Sequence, residues 1–229
     1  MDRMQYETVE NYMRQCMEDS AHDREHVYRV LYTALMIAEE EASVNLDVLI
    51  CACLLHDIGR KEQFADPKLC HAKVGGEKAF RFLTDNGFDA DFAERVKDCI
   101  ITHRFRENNQ PQSLEAKILF DADKLDVAGA MGIARTLLYQ GYVTTPLYNL
   151  TADGQISDGT GDHTPSFFQE YKYKLEKLYD RFYTKRGRKL ALARQHAAVS
   201  FYNALLQEVQ ESNSVGRAAL EELLRKSSV

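Results

Sequence analysis

The chain predicts an all-α protein, and three observations carry that expectation. Apolar residues recur at helical spacing through most of its 229 residues, only four prolines interrupt them, and no segment shows the sustained alternation of a half-buried strand. With 45% hydrophobic residues the chain has the means to bury a core, and its length suits a single domain, 1–229, with an appended helical part.

The elements follow in order. Residues 2–16 read as a first helix. Asp19 or Ser20 can cap a second, whose Val27, Val30, Leu31, Ala34 and Ile37 fall on one face. A third spans 46–58 and should stop at Gly59, with a loop through Pro67. Helices over 71–85 and 89–103 flank an Asn86-Gly87 turn. A long apolar helix is expected over 113–139. The polar stretch 141–165, rich in Thr, Gly and Asp, has the length of a lid or binding loop. Helices then resume over 167–182 and 184–211, with a short tail helix near Ala218. Leu175, Leu178 and Phe182 give these C-terminal helices apolar surface to pack on the core, and no Gly/Ser/Pro hinge separates them from it.

Net charge of −6 argues against a nucleic-acid polymer as partner, although a small basic pocket could still hold a phosphate. The longest apolar run, 48–55, is far short of the ~20 residues that span a bilayer, so no membrane partner is expected. The five cysteines are odd in number, and Met1 leads straight into polar sequence; reduced thiols and a cytoplasmic location are the expectation. Cys51 and Cys53 sit too close together for a zinc-finger pair and read as small core residues.

Three clusters need a chemical explanation. Leu54-Leu55-His56-Asp57-Ile58-Gly59 ends an apolar helix with an imidazole and a carboxylate, which burial penalises unless they are paired or coordinated. By themselves they could equally form a capping hydrogen bond. His22 and His26 share a helical face, a pattern also met on ordinary surfaces, and Arg29 lies three residues on, placed for a carboxylate or a substrate phosphate. Asp121, Asp123 and Asp126 with Lys124 interrupt an apolar helix. Asp121 and Asp123 point to opposite sides, so at most one faces a given ion.

The ordered set His26, His56-Asp57 and Asp123 resembles the H…HD…D pattern of the HD superfamily of metal-dependent phosphohydrolases. The local wording agrees: His26-Val-Tyr-Arg-Val, Leu-Leu-His56-Asp57-Ile-Gly and Asp-Ala-Asp123-Lys-Leu-Asp. The resemblance covers residues of about 20–140 and implies an HD-domain helical bundle, with further helices over about 165–229. It implies a metal on His26, His56, Asp57 and Asp123, and selects Asp123 over Asp121. His71 and His103 stand where a variant of the superfamily holds a second metal; the preferred expectation is a one-metal pocket in which both bind phosphate or water, with a two-metal site as the alternative. Lys174-Leu175, Leu178, Asp180, Thr184, Gly187-Arg188 and Arg194 are similar to the tail of YpgQ-like bacterial HD proteins, whose best-understood members are nucleotide pyrophosphohydrolases; Gln195 departs from a common His of that group.

The implied chemistry is hydrolysis of a nucleotide or another small phosphate ester or anhydride. The mixed imidazole–carboxylate set suits a divalent transition metal, Mn, Fe, Co, Ni or Zn, one or two per chain. Asp57 is expected to bind metal and orient water; Lys124 is the candidate for catalytic contact with phosphate, with Arg29 and Lys174 assisting and Arg60 and Lys61 held in solvent. The rivals are a di-iron oxygenase of the same fold and a non-enzymatic nucleotide-binding regulatory module. Self-association stays open.

Overall fold

The computed structural model describes residues 1–17, 24–104 and 109–226; Asp19, Ser20 and His22, invoked above as caps or as a partner of His26, lie outside them. The chain divides into two compact units, one of Met1–Asp126 with Phe182–Lys189, the other of Val127–Arg181 with Leu190–Val229. Among the described residues the regular structure is helical, and the β-type pairing is an isolated bridge between Leu150 and Ile156.

The first unit is built around α3 (Leu46–Leu55), which packs against α1 (Arg3–Cys16), α2 (Arg24–Ala38), α5 (His71–Asp85), α6 (Ala90–Thr102) and α7 (Leu114–Leu125). Its sequence makes it the centre: from Val48 to Leu55 all but Ile50 are buried, Cys51 and Cys53 among them. Burying each such aliphatic side chain is worth roughly 1.5–3 kcal/mol. Asn45 caps α3 by accepting from the Val48 amide at 3.1 Å. Helix α1 opens with a reciprocal capping box between Asp2 and Gln5 and buries Val9 and Met13 one turn apart. Helix α2 turns Val27, Val30, Leu31, Ala34 and Ile37 inward.

Helices α5 and α6 form a hairpin through Asn86-Gly87, where Gly87 adopts φ +81° and Asp89 caps α6. The antiparallel return brings the first residue of α5, His71, beside the C-cap of α6, His103.

Four expectations are corrected. Helix α3 ends at Leu55, and Gly59 starts a new helix, α4 (Arg60–Ala65), where a loop was expected. Gly59 has φ −91°, so its role is space: a Cβ there would stand 2.3 Å from the His71 carbonyl oxygen and 2.7 Å from the Gly75 nitrogen. The 113–139 helix is two helices, α7 and α8 (Gly129–Tyr142), broken where Gly129 takes φ +64°. Residues 167–182 form a four-residue helix α9 (Phe167–Glu170), a π turn over Tyr171–Leu175 and then turns. The 184–211 helix and the tail helix are one, α10 (Lys185–Lys226), which runs through Gly216.

In the second unit Phe167, Phe168 and Tyr171 are buried, and Tyr171 stacks on Tyr202 with ring centroids 4.0 Å apart. Tyr202 donates its hydroxyl hydrogen to the Asp158 carbonyl at 2.6 Å, which ties the 141–165 stretch to α10. The Gly129 amide donates to the Tyr179 hydroxyl at 3.1 Å. No helix among the described residues is long and apolar enough to cross a membrane.

Candidate metal centre

Four helices of the first unit deliver imidazoles to one place, and each ring is held by its Nδ1. His56 is the C-cap of α3 and donates Nδ1–H to the Cys53 carbonyl at 2.7 Å. His103, the C-cap of α6, does the same to Ile100 at 2.6 Å. In both cases the imidazole folds back onto a carbonyl in the last turn of its own helix. His26, in the first turn of α2, bonds Asp126 Oδ2 through Nδ1 at 2.7 Å. Asp126 is held in turn by Arg29, whose Nε donates to Oδ1 at 2.8 Å and whose Nη2 donates to Oδ2 at 3.2 Å.

His71 Nδ1 lies 2.7 Å from Gln63 Oε1 and 3.1 Å from Arg104 Nη1, two neighbours that ask for opposite tautomers. The Gln63 contact decides, because its amide nitrogen donates to Leu69 O at 3.0 Å and so turns the amide oxygen toward the ring. All four imidazoles therefore present Nε2 inward.

These inward atoms converge on the two oxygens of Asp57. His26 Nε2 and His56 Nε2 are 3.3 Å apart and each 3.7 Å from Asp57 Oδ2, while Asp123 Oδ1 is 3.3 Å from His26 Nε2. On the other side His71 Nε2 and His103 Nε2 are 3.3 Å apart and stand 3.2 and 3.7 Å from Asp57 Oδ1. The result is two half-sites, His26–His56–Asp123 and Asp57–His71–His103, each able to hold a metal ion, with the Asp57 carboxylate between them.

The donor set fits a divalent cation on physical grounds. Asp57 is 1% exposed, and its Oδ2 has no hydrogen-bond partner, a costly state for a buried carboxylate oxygen. Cis ligands about 2.1 Å from one ion stand about 3 Å apart, close to the spacings found here. Charge points the same way. Burial alone would raise the Asp57 carboxyl, but His56, Arg60 and His71 outweigh it and hold it well below the usual carboxylate range. Asp123 is likewise held low against burial, chiefly by His26. Burial would lower His26, yet Asp123 and Asp126 lift it to about 9, so that this half-site takes up a proton where positive charge is wanted. His103 is pushed down to about 3 by burial and by the neighbouring His56, and keeps its lone pair.

The structure brings together His26, His56, Asp57, Asp123, His71 and His103. Other expected residues lie differently. Arg29 is turned onto Asp126, which makes it a support of His26. Lys124 has its Nζ 5.3 Å from the Phe120 ring centroid. Lys174 belongs to the second unit, is half exposed and pairs with Glu170 at 2.9 Å. Arg60, expected in solvent, donates Nε to Asp57 Oδ1 at 3.0 Å. Sequence reasoning gave no role to Asp126 or Gln63. Asp126 had a readable signal, since it lies three residues from Asp123 on the same helical face; Gln63 had none, because its segment read as a loop. Asp121 points elsewhere, accepting from the Tyr183 and Thr184 amides at 2.9 and 2.7 Å and from the Thr184 hydroxyl at 2.7 Å.

Comparison with known proteins agrees with this geometry. The HD domain family matches residues 24–128. The Bacillus subtilis (strain 168) protein YpgQ is 30% identical over 197 residues, which cover 84% of this chain and 86% of YpgQ. The crystal structure of Bacillus subtilis YpgQ in complex with ADP superposes with a TM-score of 0.69 at 27% identity, covering 89% of this chain and 97% of that one. A protein from an uncultured Thermotogales bacterium, described as a predicted HD superfamily hydrolase, is 32% identical with a TM-score of 0.59, over 87% of this chain and 90% of that one. With its motif residues gathered at one buried centre and these relatives beside it, the chain belongs to the HD domain family, among the metal-dependent hydrolases of the HD superfamily.

Proposed function

We propose that the chain is a phosphohydrolase acting on a nucleotide, with nucleoside triphosphate pyrophosphohydrolysis as the specific reaction, and that it works with two divalent ions. The observation that carries this reading is the Asp57 carboxylate, which turns one oxygen to each of two histidine-lined half-sites. His26, His56, Asp57 and Asp123 hold the first ion; Asp57, His71 and His103 hold the second. Bound there, divalent ions lower the pKa of water and neutralise charge on phosphoryl oxygens.

The chain's own residues do the rest. Asp126 and Arg29 fix the His26 ring, the Cys53 and Ile100 carbonyls fix His56 and His103, and Gln63 fixes His71. Each imidazole thus turns Nε2 inward without rearrangement, which is the preorganisation such sites need, and His26 gives up its extra proton when an ion binds. Asp57, held ionised, accepts a hydrogen bond from an attacking water and orients it. Lys124 follows Asp123 directly and takes phosphate charge. A nucleotide is favoured because the relative YpgQ was crystallised with ADP.

The test is a screen of nucleoside mono-, di- and triphosphates and simple phosphate esters with Mn²⁺, Ni²⁺ or Mg²⁺, reading orthophosphate and pyrophosphate separately. Pyrophosphate from a triphosphate is the expected product. A second reading, a di-iron oxygenase, is favoured by the same carboxylate between two histidine pairs; two irons per chain together with substrate-dependent O₂ consumption would select it.

A further inference from the structure

Arg60 is bound to the atom that a second ion would need. Its Nε donates to Asp57 Oδ1 at 3.0 Å, and that oxygen is also the one facing His71 and His103. The lone pairs of His71 Nε2 and His103 Nε2 and the charge of Asp57 Oδ1 converge there, and the guanidinium supplies positive charge beside them. The Arg60 side chain is 25% exposed, whereas Asp57 is 1% exposed. The carboxylate is fixed in the interior, and the arginine reaches it from the solvent side on the first residue of α4. Arg60 can therefore leave toward water; Asp57 cannot move to follow it.

We propose that Arg60 is an internal counter-cation that competes with the second metal ion for Asp57 Oδ1, and so sets how readily the Asp57–His71–His103 half-site fills. The proposal rests on the two-ion reading above. Two consequences follow from charge alone. An ion entering this half-site must displace the guanidinium or tolerate a like charge within a few ångströms, and such repulsion is substantial away from bulk water. A displaced Arg60, still anchored next to the centre by α4, is then free to receive a phosphoryl oxygen, for which its planar donor fork is suited. The residue would hold the metal-poor centre together and pass to the substrate once the second ion arrives.

The experiment is Mn²⁺ titration of the full-length, metal-stripped protein by calorimetry, with metal content counted after desalting, for wild type, Arg60→Gln, Arg60→Lys and His71→Ala. Arg60→Gln should tighten the second binding step by about tenfold or more and change the first step less. Arg60→Lys, which keeps the charge, should bind like wild type. Thermal melts supply an independent readout: metal-free Arg60→Gln should melt below wild type because Asp57 loses its counter-charge, and saturating Mn²⁺ should close that gap. A merely structural arginine would weaken metal binding on removal, not strengthen it. A second step unchanged or weaker in Arg60→Gln, or Lys and Gln variants that behave alike, overturns the proposal. If wild type takes two ions and His71→Ala one, that failure belongs to Arg60 alone. If wild type and Arg60→Gln stop at one ion and His71→Ala binds as they do, the two-ion reading falls with it.

Discussion

Asp126 shows how much of the centre depends on groups that need never touch an ion. It is 6% exposed, holds His26 by Nδ1 and is itself held by Arg29. Asp126→Ala should leave a folded protein whose His26 ring can rotate or change tautomer. Loss of such an outer partner typically costs 10–100-fold in metal affinity, and a calorimetric titration with Mn²⁺ checks it. Asp57→Ala should go further, lowering turnover by more than about 100-fold with the helical circular dichroism retained, since it removes an atom from both half-sites. Turnover close to wild type in that variant, with metal still bound, would dismiss the mechanism.

The metal-free protein should also carry a distinct pH signature. His26 is raised to about 9 in the fold, so the stability it contributes is complete below its unfolded pKa of about 6.5 and is lost as pH climbs through about 9. His103 is lowered to about 3, so its contribution is present above about 6.5 and is lost as pH falls toward 3. Metal-free melts should peak near pH 6.5, and loading with metal at neutral pH should release a proton and flatten the alkaline side. A metal-free melting temperature that rises from pH 7 to 9 would contradict the His26 assignment. Residue types and their order made His26, His56, Asp57, Asp123, His71 and His103 readable from the sequence. The partners of their Nδ1 atoms were not, because a backbone carbonyl or a distant carboxylate is chosen by the fold.

Among the elements, the turn between α3 and α4 is under the tightest steric control. Gly59 lies so near the start of α5 that any side chain would meet the backbone of His71 and Gly75. Neither contact can yield by a rotamer change. Gly59→Ala should therefore destabilise the protein by about 1–3 kcal/mol, and because the displaced strand of chain carries His71, it should weaken the second metal step as well. Thermal melts and the Mn²⁺ titration read the two effects; wild-type values in both would refute the packing argument. The sequence misled here for a clear reason. Glycine after an apolar helix usually marks a left-handed stop, but this one serves close approach, and the chain re-enters a helix at once. The opposite error befell the C-terminus, where a helix over 184–211 and a separate tail helix near Ala218 were expected and α10 runs unbroken through Ser212, Asn213, Ser214 and Gly216. Weak local preferences of that size, up to about 1 kcal/mol for glycine, do not end a helix of such length. The α7–α8 break was hidden because Val127-Ala128-Gly129 keeps the apolar pattern while the backbone turns.

For the molecule as a whole, the division of the chain is not a division of the sequence. The unit that carries the metal centre takes in Phe182–Lys189, far beyond Asp126. That segment closes over Asp121, two residues before Asp123, with three hydrogen bonds, and Gly187 approaches so closely that a Cβ would sit 2.5 Å from Asp121 Oδ2. We propose on this basis that residues 1–229 fold as one domain. A fragment ending near residue 140 would leave the Asp121 carboxylate buried without its donors, a loss of several kcal/mol at about 1–3 kcal/mol per unsatisfied group. It should be recovered insoluble or unable to bind metal, and limited proteolysis of the full chain should release no active fragment of that kind. Composition and periodicity had suggested a single domain without revealing this clasp, since nothing in Thr184 or Gly187 announces a partner more than sixty positions away. The clasp also bears on synthesis. Chains emerge from the ribosome at roughly 5–20 residues per second, so every ligand of the centre is outside the tunnel some seconds before Thr184 is made. During that interval the nascent chain holds its histidines and aspartates without the segment that closes behind them, and metal acquisition is therefore expected to follow the end of translation instead of accompanying it.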